Sequence, residues 1–133
     1  MIPGKTSFSL KILAKALKKE KRALFAYVYG SVLKRRDARD IDIAIFLRGT
    51  TDYWSETQEM AGRLEKSLNY SRKIDAHTLN CAAVSFAFEI IKTGRLLFER
   101  GLEERLNWEA HALSRYQDIK PMLDFHDRRF LRR

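Results

Sequence analysis

The sequence is poor in cysteine: Cys81 is the only one among 133 residues. A single cysteine excludes an intramolecular disulfide, and it also excludes metal sites built from paired cysteines. We therefore expect a protein of a reducing compartment and predict a cytoplasmic location. Cys81 itself is predicted to be a small, buried apolar side chain.

Long hydrophobic runs are also missing. The longest apolar stretch, CAAVSFAFEII at residues 81–91, is too short to span a bilayer. Lysines interrupt the apolar positions of residues 10–19, which is not the pattern of a secretory signal peptide. At 45% hydrophobic and 32% charged residues, the composition is that of an ordinary globular protein. We predict one domain over residues 1–133 and no membrane partner.

Acidic residues are in the minority, since 17 Asp and Glu accompany 26 Lys and Arg, for a formal net charge of +9. A basic surplus favours anionic partners such as nucleotides, nucleic acids or acidic proteins. The cations are spread along the chain, however, and most are equally well explained as solvated surface. A nucleic-acid-binding module, suggested by the surplus and by the terminal RRFLRR run, is therefore only an alternative.

The hydrophobic periodicity alternates between helix and strand spacing. The predicted helices cover residues 7–21, 53–69, 82–93, 102–117 and 122–130, and the predicted strands cover residues 23–30, 40–47, 73–80 and 94–99. Pro121 is predicted to separate the last two helices. The alternation predicts an α+β fold with α/β-like order, in which helices flank a small mixed β-sheet.

Two aspartates stand at the start of the most apolar strand, DIDIAIF. Because side chains alternate along a strand, Asp40 and Asp42 share one face, and the isoleucines between them point to the other. A buried carboxylate is costly unless it is paired or bound to a metal. Mg²⁺ prefers oxygen ligands and usually takes one or two carboxylates plus substrate phosphates. We therefore predict that Asp40 and Asp42 bind metal; a turn or capping cluster is the alternative.

A glycine–serine pair, Gly30–Ser31, ends the preceding strand. Glycine lets the backbone approach a ligand closely, and the Ser31 hydroxyl can donate to a phosphate oxygen. Lys34 and Arg39 lie between this pair and Asp40, where their charges could neutralise a triphosphate. The stretch thus predicts a phosphate site beside a metal site.

A third carboxylate would complete a two-metal site. Asp75, in the predicted strand KIDAHTLN, is the best candidate if that strand lies beside residues 40–47. His77 should share its face and could hydrogen-bond a phosphate or this carboxylate, although a partly buried neutral histidine is the commoner case. Trp54 is predicted to pack within its helix.

These motifs resemble a known family. The pattern GS…DIDIAIF, followed by a later strand aspartate, is similar to the nucleotidyltransferase superfamily of DNA polymerase β. The small size, the run IDAHTLN…FEIIKTGRLLFE and the stretch YQDIKPML resemble its minimal members, and the resemblance covers residues 25–130. It implies a polymerase-β-like nucleotidyltransferase fold.

The resemblance also implies an activity and a partner. Minimal nucleotidyltransferases are often antitoxins of a HEPN-domain toxin ribonuclease, and some of them transfer AMP from ATP to a tyrosine of that toxin. Carried over by position, Gly30 and Ser31 would hold the triphosphate of ATP. Asp40 and Asp42 would bind two Mg²⁺ ions, while Asp75 would bind the catalytic ion and help to deprotonate the acceptor hydroxyl.

Two further expectations concern the partner. Residues 102–131 carry aromatic and arginine side chains of the kind that interfaces favour, so they are the predicted docking segment of a hetero-oligomer with the toxin; covering the sheet is the alternative. The family commonly has a longer segment than Val32–Arg39 between serine and first aspartate. An antitoxin that only binds its toxin, with a weakened catalytic site, is therefore the alternative to an enzyme.

Overall fold

The computed structural model describes residues 4–35 and 38–131, apart from the side chains of residues 5 and 125–131. The chain forms four helices and four strands within these ranges, in the order α1 (Gly4–Lys18), β1 (Ala23–Tyr29), β2 (Asp40–Leu47), α2 (Tyr53–Ser67), β3 (Lys73–Thr78), α3 (Val84–Thr93), β4 (Arg95–Glu99) and α4 (Leu102–Leu131). A 3-10 turn, Ser31–Leu33, follows β1. The predicted α+β class is confirmed.

The four strands form one mixed sheet in the order β3-β2-β1-β4. Strand β1 pairs antiparallel with β2 and with β4, whereas β2 and β3 are parallel. A parallel pair needs a crossover connection, and α2 provides it. As a result, the first residues of β2 and β3 and the last residues of β1 lie at the same end of the sheet.

Apolar side chains are buried on both faces of the sheet. On one face, alternate residues of β2 (Ile41, Ile43 and Ile45) pack with leucines of α1 and α2. On the other face, Ala44 packs with Phe25 of β1 and Ile90 of α3. Two covered faces explain why β2 reads as a nearly continuous apolar run. The aspartates of β2 lie on the face of Ala44, which α3 and α4 cover.

The C-terminal segment is one continuous helix, so the prediction of two helices separated by Pro121 was wrong. Proline lacks the N–H that would bond to the carbonyl four residues back. That loss removes one of the many backbone hydrogen bonds of the helix, and residues with high helix propensity on both sides of Pro121 keep the chain helical. The 30 residues of α4 span about 45 Å.

Two side chains are more exposed than predicted. Trp54 is 74% exposed in the first turn of α2. Cys81 is also exposed. It lies in the turn after β3 with a φ of 58°, so no strand face covers it. The predictions that Trp54 packs within its helix and that Cys81 is buried were therefore wrong.

Two further observations bear on the predicted partners. Among the described residues, no helix combines the length and the apolar character that crossing a bilayer requires. The arginine side chains of the terminal RRFLRR run lie outside the described residues, so the structure does not test that part of the nucleic-acid alternative.

Candidate active site

Strand pairing brings the predicted carboxylates to one face of the sheet, at the end where β2 and β3 begin. In the parallel ladder of β2 and β3, Asp42 is the register partner of Asp75. Register partners on adjacent strands point to the same face and lie about 4.8 Å apart at the backbone. Asp40 lies two residues before Asp42, on the same face and at the exposed start of β2. The structure therefore places Asp40, Asp42 and Asp75 together.

The three acidic side chains repel one another electrostatically. The pKa of the Asp42 carboxyl lies above its ordinary value, first because of burial and then because of the negative charge of Asp75, with Asp40 adding to it. The pKa of the neighbouring Tyr29 hydroxyl is raised as well, by burial and by the charges of Asp42 and Asp75. A divalent cation would remove this repulsion, which makes the site chemically suited to Mg²⁺.

His77 forms the outer wall of the carboxylate cluster. Its Nε2 lies 3.3 Å from Oδ1 of Asp75, and both side chains are about half exposed. The His77 ring also meets the Phe86 ring edge to face, with 6.2 Å between the centroids. Phe86 contacts Tyr29 in the same way at 5.6 Å. The first turn of α3 thus covers the strand edge beside the carboxylates.

Gly30 makes a turn that no other residue would fit. Its φ of 84° and ψ of −158° lie in a region that is open essentially to glycine alone. A Cβ atom at this position would overlap Oδ2 of Asp42. The end of β1 therefore passes directly against the carboxylate cluster, as the predicted phosphate site requires.

The other predicted triphosphate-binding residues surround this turn. Ser31 is exposed at the start of the 3-10 turn, and its carbonyl accepts hydrogen bonds from the backbone N–H groups of Lys34 and Arg35. Lys34 and Arg39 are both exposed, on either side of residues 36 and 37, which lie outside the described residues. The side chains of Ser31, Lys34 and Arg39 therefore face solvent at the end of the sheet that carries the carboxylates.

The carboxylates share a face without yet converging on one point. Among the side chains that the structure describes, no three of His, Cys, Asp or Glu are already gathered as a metal site. The Asp42 and Asp75 side chains already lie side by side, so a bound cation would have to draw in the exposed Asp40 side chain. The metal roles of these residues therefore stay predictions.

An open cavity of about 770 Å³ lies along the outer edge of β3. Its walls come from the start of α2, the end of β3 and the start of α3, and they include Trp54, His77, Cys81 and Phe86. Asn80 fixes this region, because its side chain accepts from the backbone N–H of Leu47 and donates to the Leu47 carbonyl, at 2.8 and 3.0 Å. No sequence pattern indicates the cavity, since its walls come from separate elements.

Comparison with known proteins identifies the family. A model of the polymerase β nucleotidyltransferase family matches residues 11–103. The chain therefore belongs to this family, as the motifs around Gly30, Asp40, Asp42 and Asp75 led us to expect. No curated protein matches the sequence significantly.

Solved structures of minimal nucleotidyltransferase (MNT) antitoxins share the fold. An MNT antitoxin in complex with a tri-AMPylated HEPN toxin of Shewanella oneidensis is 20% identical, with a TM-score of 0.67, and the alignment covers 90% of this chain and 96% of that one. The toxin–antitoxin pair MntA–HepT gives 20% identity and a TM-score of 0.65 over 89% and 96% of the two chains. A toxin–antitoxin structure with AMP-PNP gives 21% and 0.67 over 86% and 95%.

The Gly30 turn gives a direct test by substitution. We expect Gly30→Ala to lower the free energy of unfolding by about 1–3 kcal/mol, because it forces a strained backbone and a clash with Asp42. Gly62→Ala is the matched control, since a Cβ there meets nothing within 4 Å. Alanine should stabilise that helical position by about 0.5–1 kcal/mol. Chemical denaturation measures the free energy of unfolding of both variants. Equally small changes in the two variants would contradict the tight turn at Gly30.

The raised pKa of Asp42, caused by burial and then by the neighbouring carboxylates, predicts a pH dependence of stability. A raised folded-state pKa means that the folded protein holds the Asp42 proton more tightly than the unfolded chain. This residue's contribution to stability therefore falls as the pH rises from the ordinary carboxyl pKa through the raised one. Without divalent ions, Asp42→Asn should raise the melting temperature at pH 7, and the gain should vanish below about pH 4.

The matched control for this measurement is Asp118→Asn, which alters an exposed carboxylate on α4. Thermal unfolding across pH, in chelator, compares the two variants with the wild type. We expect no such pH-dependent gain from Asp118→Asn. A melting temperature that falls at pH 7 in Asp42→Asn would contradict the electrostatic account.

Proposed function

We propose that this chain is a Mg²⁺-dependent protein adenylyltransferase that acts as an antitoxin in the cytoplasm. It transfers AMP from ATP to a hydroxyl, which we take to be a tyrosine, of a HEPN-type toxin ribonuclease, and this neutralises the toxin. The observation that carries the proposal is the placement of Asp42 opposite Asp75, beside the Gly30 turn. Membership of the polymerase β family and the AMPylated toxin in a structural neighbour support it.

Each predicted residue has a defined task in this proposal. Gly30 lets the backbone approach the triphosphate, and Ser31 donates a hydrogen bond to it. Lys34 and Arg39 contribute positive charge nearby. Asp40, Asp42 and Asp75 would hold two Mg²⁺ ions, which when bound would neutralise charge on the phosphates.

The transfer needs no covalent nucleophile from this chain. The acceptor oxygen attacks the α-phosphorus of ATP, so a new O–P bond forms, the bond from that phosphorus to the bridging α–β oxygen breaks, and pyrophosphate leaves. Asp75 accepts the proton of the acceptor hydroxyl. The chain therefore supplies the positioning of the reacting groups and the negative charge of its carboxylates, which lie where β2 and β3 begin.

The toxin is proposed to dock on α4. Leu102, Leu106 and Leu113 are exposed, and at 100° per residue they lie within about 40° of one another. The helix beneath them is held rigidly, because Arg105 bonds to Glu99 and Glu109 at 2.9 and 2.8 Å. A rigid apolar stripe of this kind suits a stable protein interface.

A second candidate function is neutralisation by binding alone. The short segment between Ser31 and Asp40 favours it, because a shorter segment could hold a triphosphate less well. In that case the α4 surface would be the functional site, and the carboxylates would be dispensable. The two candidates therefore differ in what they require of Asp42.

Labelled ATP separates these two functions. With Mg²⁺ and a HEPN protein that binds this chain, we expect the wild type to attach AMP to that protein. Asp42→Asn should reduce the transfer by about 100-fold or more, because it removes charge from the phosphate-binding centre, while leaving the affinity between the two proteins unchanged. If the wild type binds the partner but transfers no AMP, or if Asp42→Asn still neutralises the toxin fully, binding alone is the function.

The docking surface is tested by one charge substitution. Leu106→Glu places a carboxylate in the centre of the stripe and should weaken the affinity for the partner at least about tenfold. Nucleotide affinity should stay unchanged. Phe8→Glu is the control, because Phe8 is 67% exposed but lies on α1. Equal effects of the two variants in calorimetric titrations would remove α4 as the docking site.

A further inference from the structure

The cavity beyond β3 borders the carboxylate cluster at His77. His77 lines the cavity and also approaches Asp75 within 3.3 Å. Phe86 lines the cavity from α3 and contacts the His77 ring. A group seated in the cavity could thus extend past these two rings to the carboxyl group of Asp75.

The order of the strands gives the site a direction. Gly30 ends β1, the carboxylates lie on β2 and β3, and the cavity lies beyond β3. In phosphoryl-type transfer, the attacking and leaving oxygens stand roughly in line on opposite sides of the phosphorus. If the β- and γ-phosphates rest at the Gly30 turn, pyrophosphate leaves towards β1. The acceptor must then approach from the β3 side, where the cavity opens.

The chemistry of the cavity fits an uncharged acceptor better than a triphosphate. Among the described residues that line it, none is a lysine or arginine, whereas Trp54, Tyr53 and Phe86 provide aromatic surface. Aromatic side chains bury a large apolar area and pack well against other rings. A volume of about 770 Å³ would accommodate one aromatic side chain together with its neighbours along the partner chain.

From these observations we propose that the cavity along β3 is the acceptor site, which receives a tyrosine-bearing segment of the partner protein. This inference rests on the proposed function and adds to it the surface that presents the hydroxyl. The phenol ring packs between Phe86 and the aromatic side chains of α2, and its oxygen points past His77 to Asp75. Transfer then follows with the bond changes given above.

The acceptor site is tested by kinetics with a matched pair of variants. Trp54→Ala removes an aromatic wall that is 74% exposed, and Phe8→Ala removes a ring that is 67% exposed and does not line the cavity. We expect Trp54→Ala to raise the KM for the partner protein at least fivefold while the KM for ATP stays unchanged. Phe8→Ala should alter neither. A rise in the KM for ATP, or no change in the KM for the partner, would overturn the proposal.

A second measurement tests the cavity without relying on activity. Cys81 is the only cysteine of the chain, it is exposed and it lines the cavity. Its rate of reaction with a maleimide therefore reports whether the cavity is filled. We expect the HEPN protein to slow this reaction at least tenfold, and Mg²⁺ with AMP-PNP alone to leave it unchanged.

The outcomes of this labelling are distinct. If AMP-PNP alone slows the labelling of Cys81, the nucleotide occupies the cavity. If the labelling rate is unchanged in the protein complex, the cavity stays open. Either result overturns the proposal. Because labelling needs no AMP transfer, it shows whether the partner fills the cavity even if the wild type proves inactive. Inactivity would instead count against the proposed function.

Discussion

The placement of Asp42 opposite Asp75 in a parallel strand pair is the constraint on which the site depends. Two carboxylates in register on neighbouring strands repel each other, and burial of Asp42 adds to the cost. Apolar packing on both faces of the sheet holds the strands together despite this cost. The fold therefore maintains an acidic cluster that is unfavourable on its own and that a bound cation would stabilise.

The turn at Gly30 and the cavity along β3 lie on opposite sides of that cluster. One side brings the backbone against Asp42, as a phosphate-binding turn must. The other opens past His77 into a space bounded by aromatic side chains. Under the proposed function, a sheet only four strands wide separates the donor from the acceptor, and α4 remains available to bind the partner.

Much of this arrangement could be predicted from the sequence. The limits of β2 follow from its apolar run, and the shared face of Asp40 and Asp42 follows from strand alternation. The adjacency of Asp75 needed the assumption that β3 lies beside β2, which the sheet order confirms. The family resemblance, which the family match confirms, supplied the link between these strands and a reaction.

Other features depend on tertiary packing that the sequence pattern does not encode. Pro121 favours a helix break locally, yet α4 continues through it. Trp54 and Cys81 are of residue types that are often buried, but they lie at the rim of a cavity whose walls come from three elements. The raised pKa of Tyr29 similarly arises from burial and from carboxylates on two other strands.

Paramagnetic broadening by Mn²⁺ is the most direct measurement of whether the carboxylates bind divalent ions. In the presence of AMP-PNP, Mn²⁺ at substoichiometric levels should first broaden the backbone amide resonances of Gly30, Asp42 and Asp75. The same titration of Asp75→Asn should leave these resonances sharp at equal metal concentration. Broadening that begins at Glu103 and Glu104 on α4 and spares β2 and β3 would contradict the account.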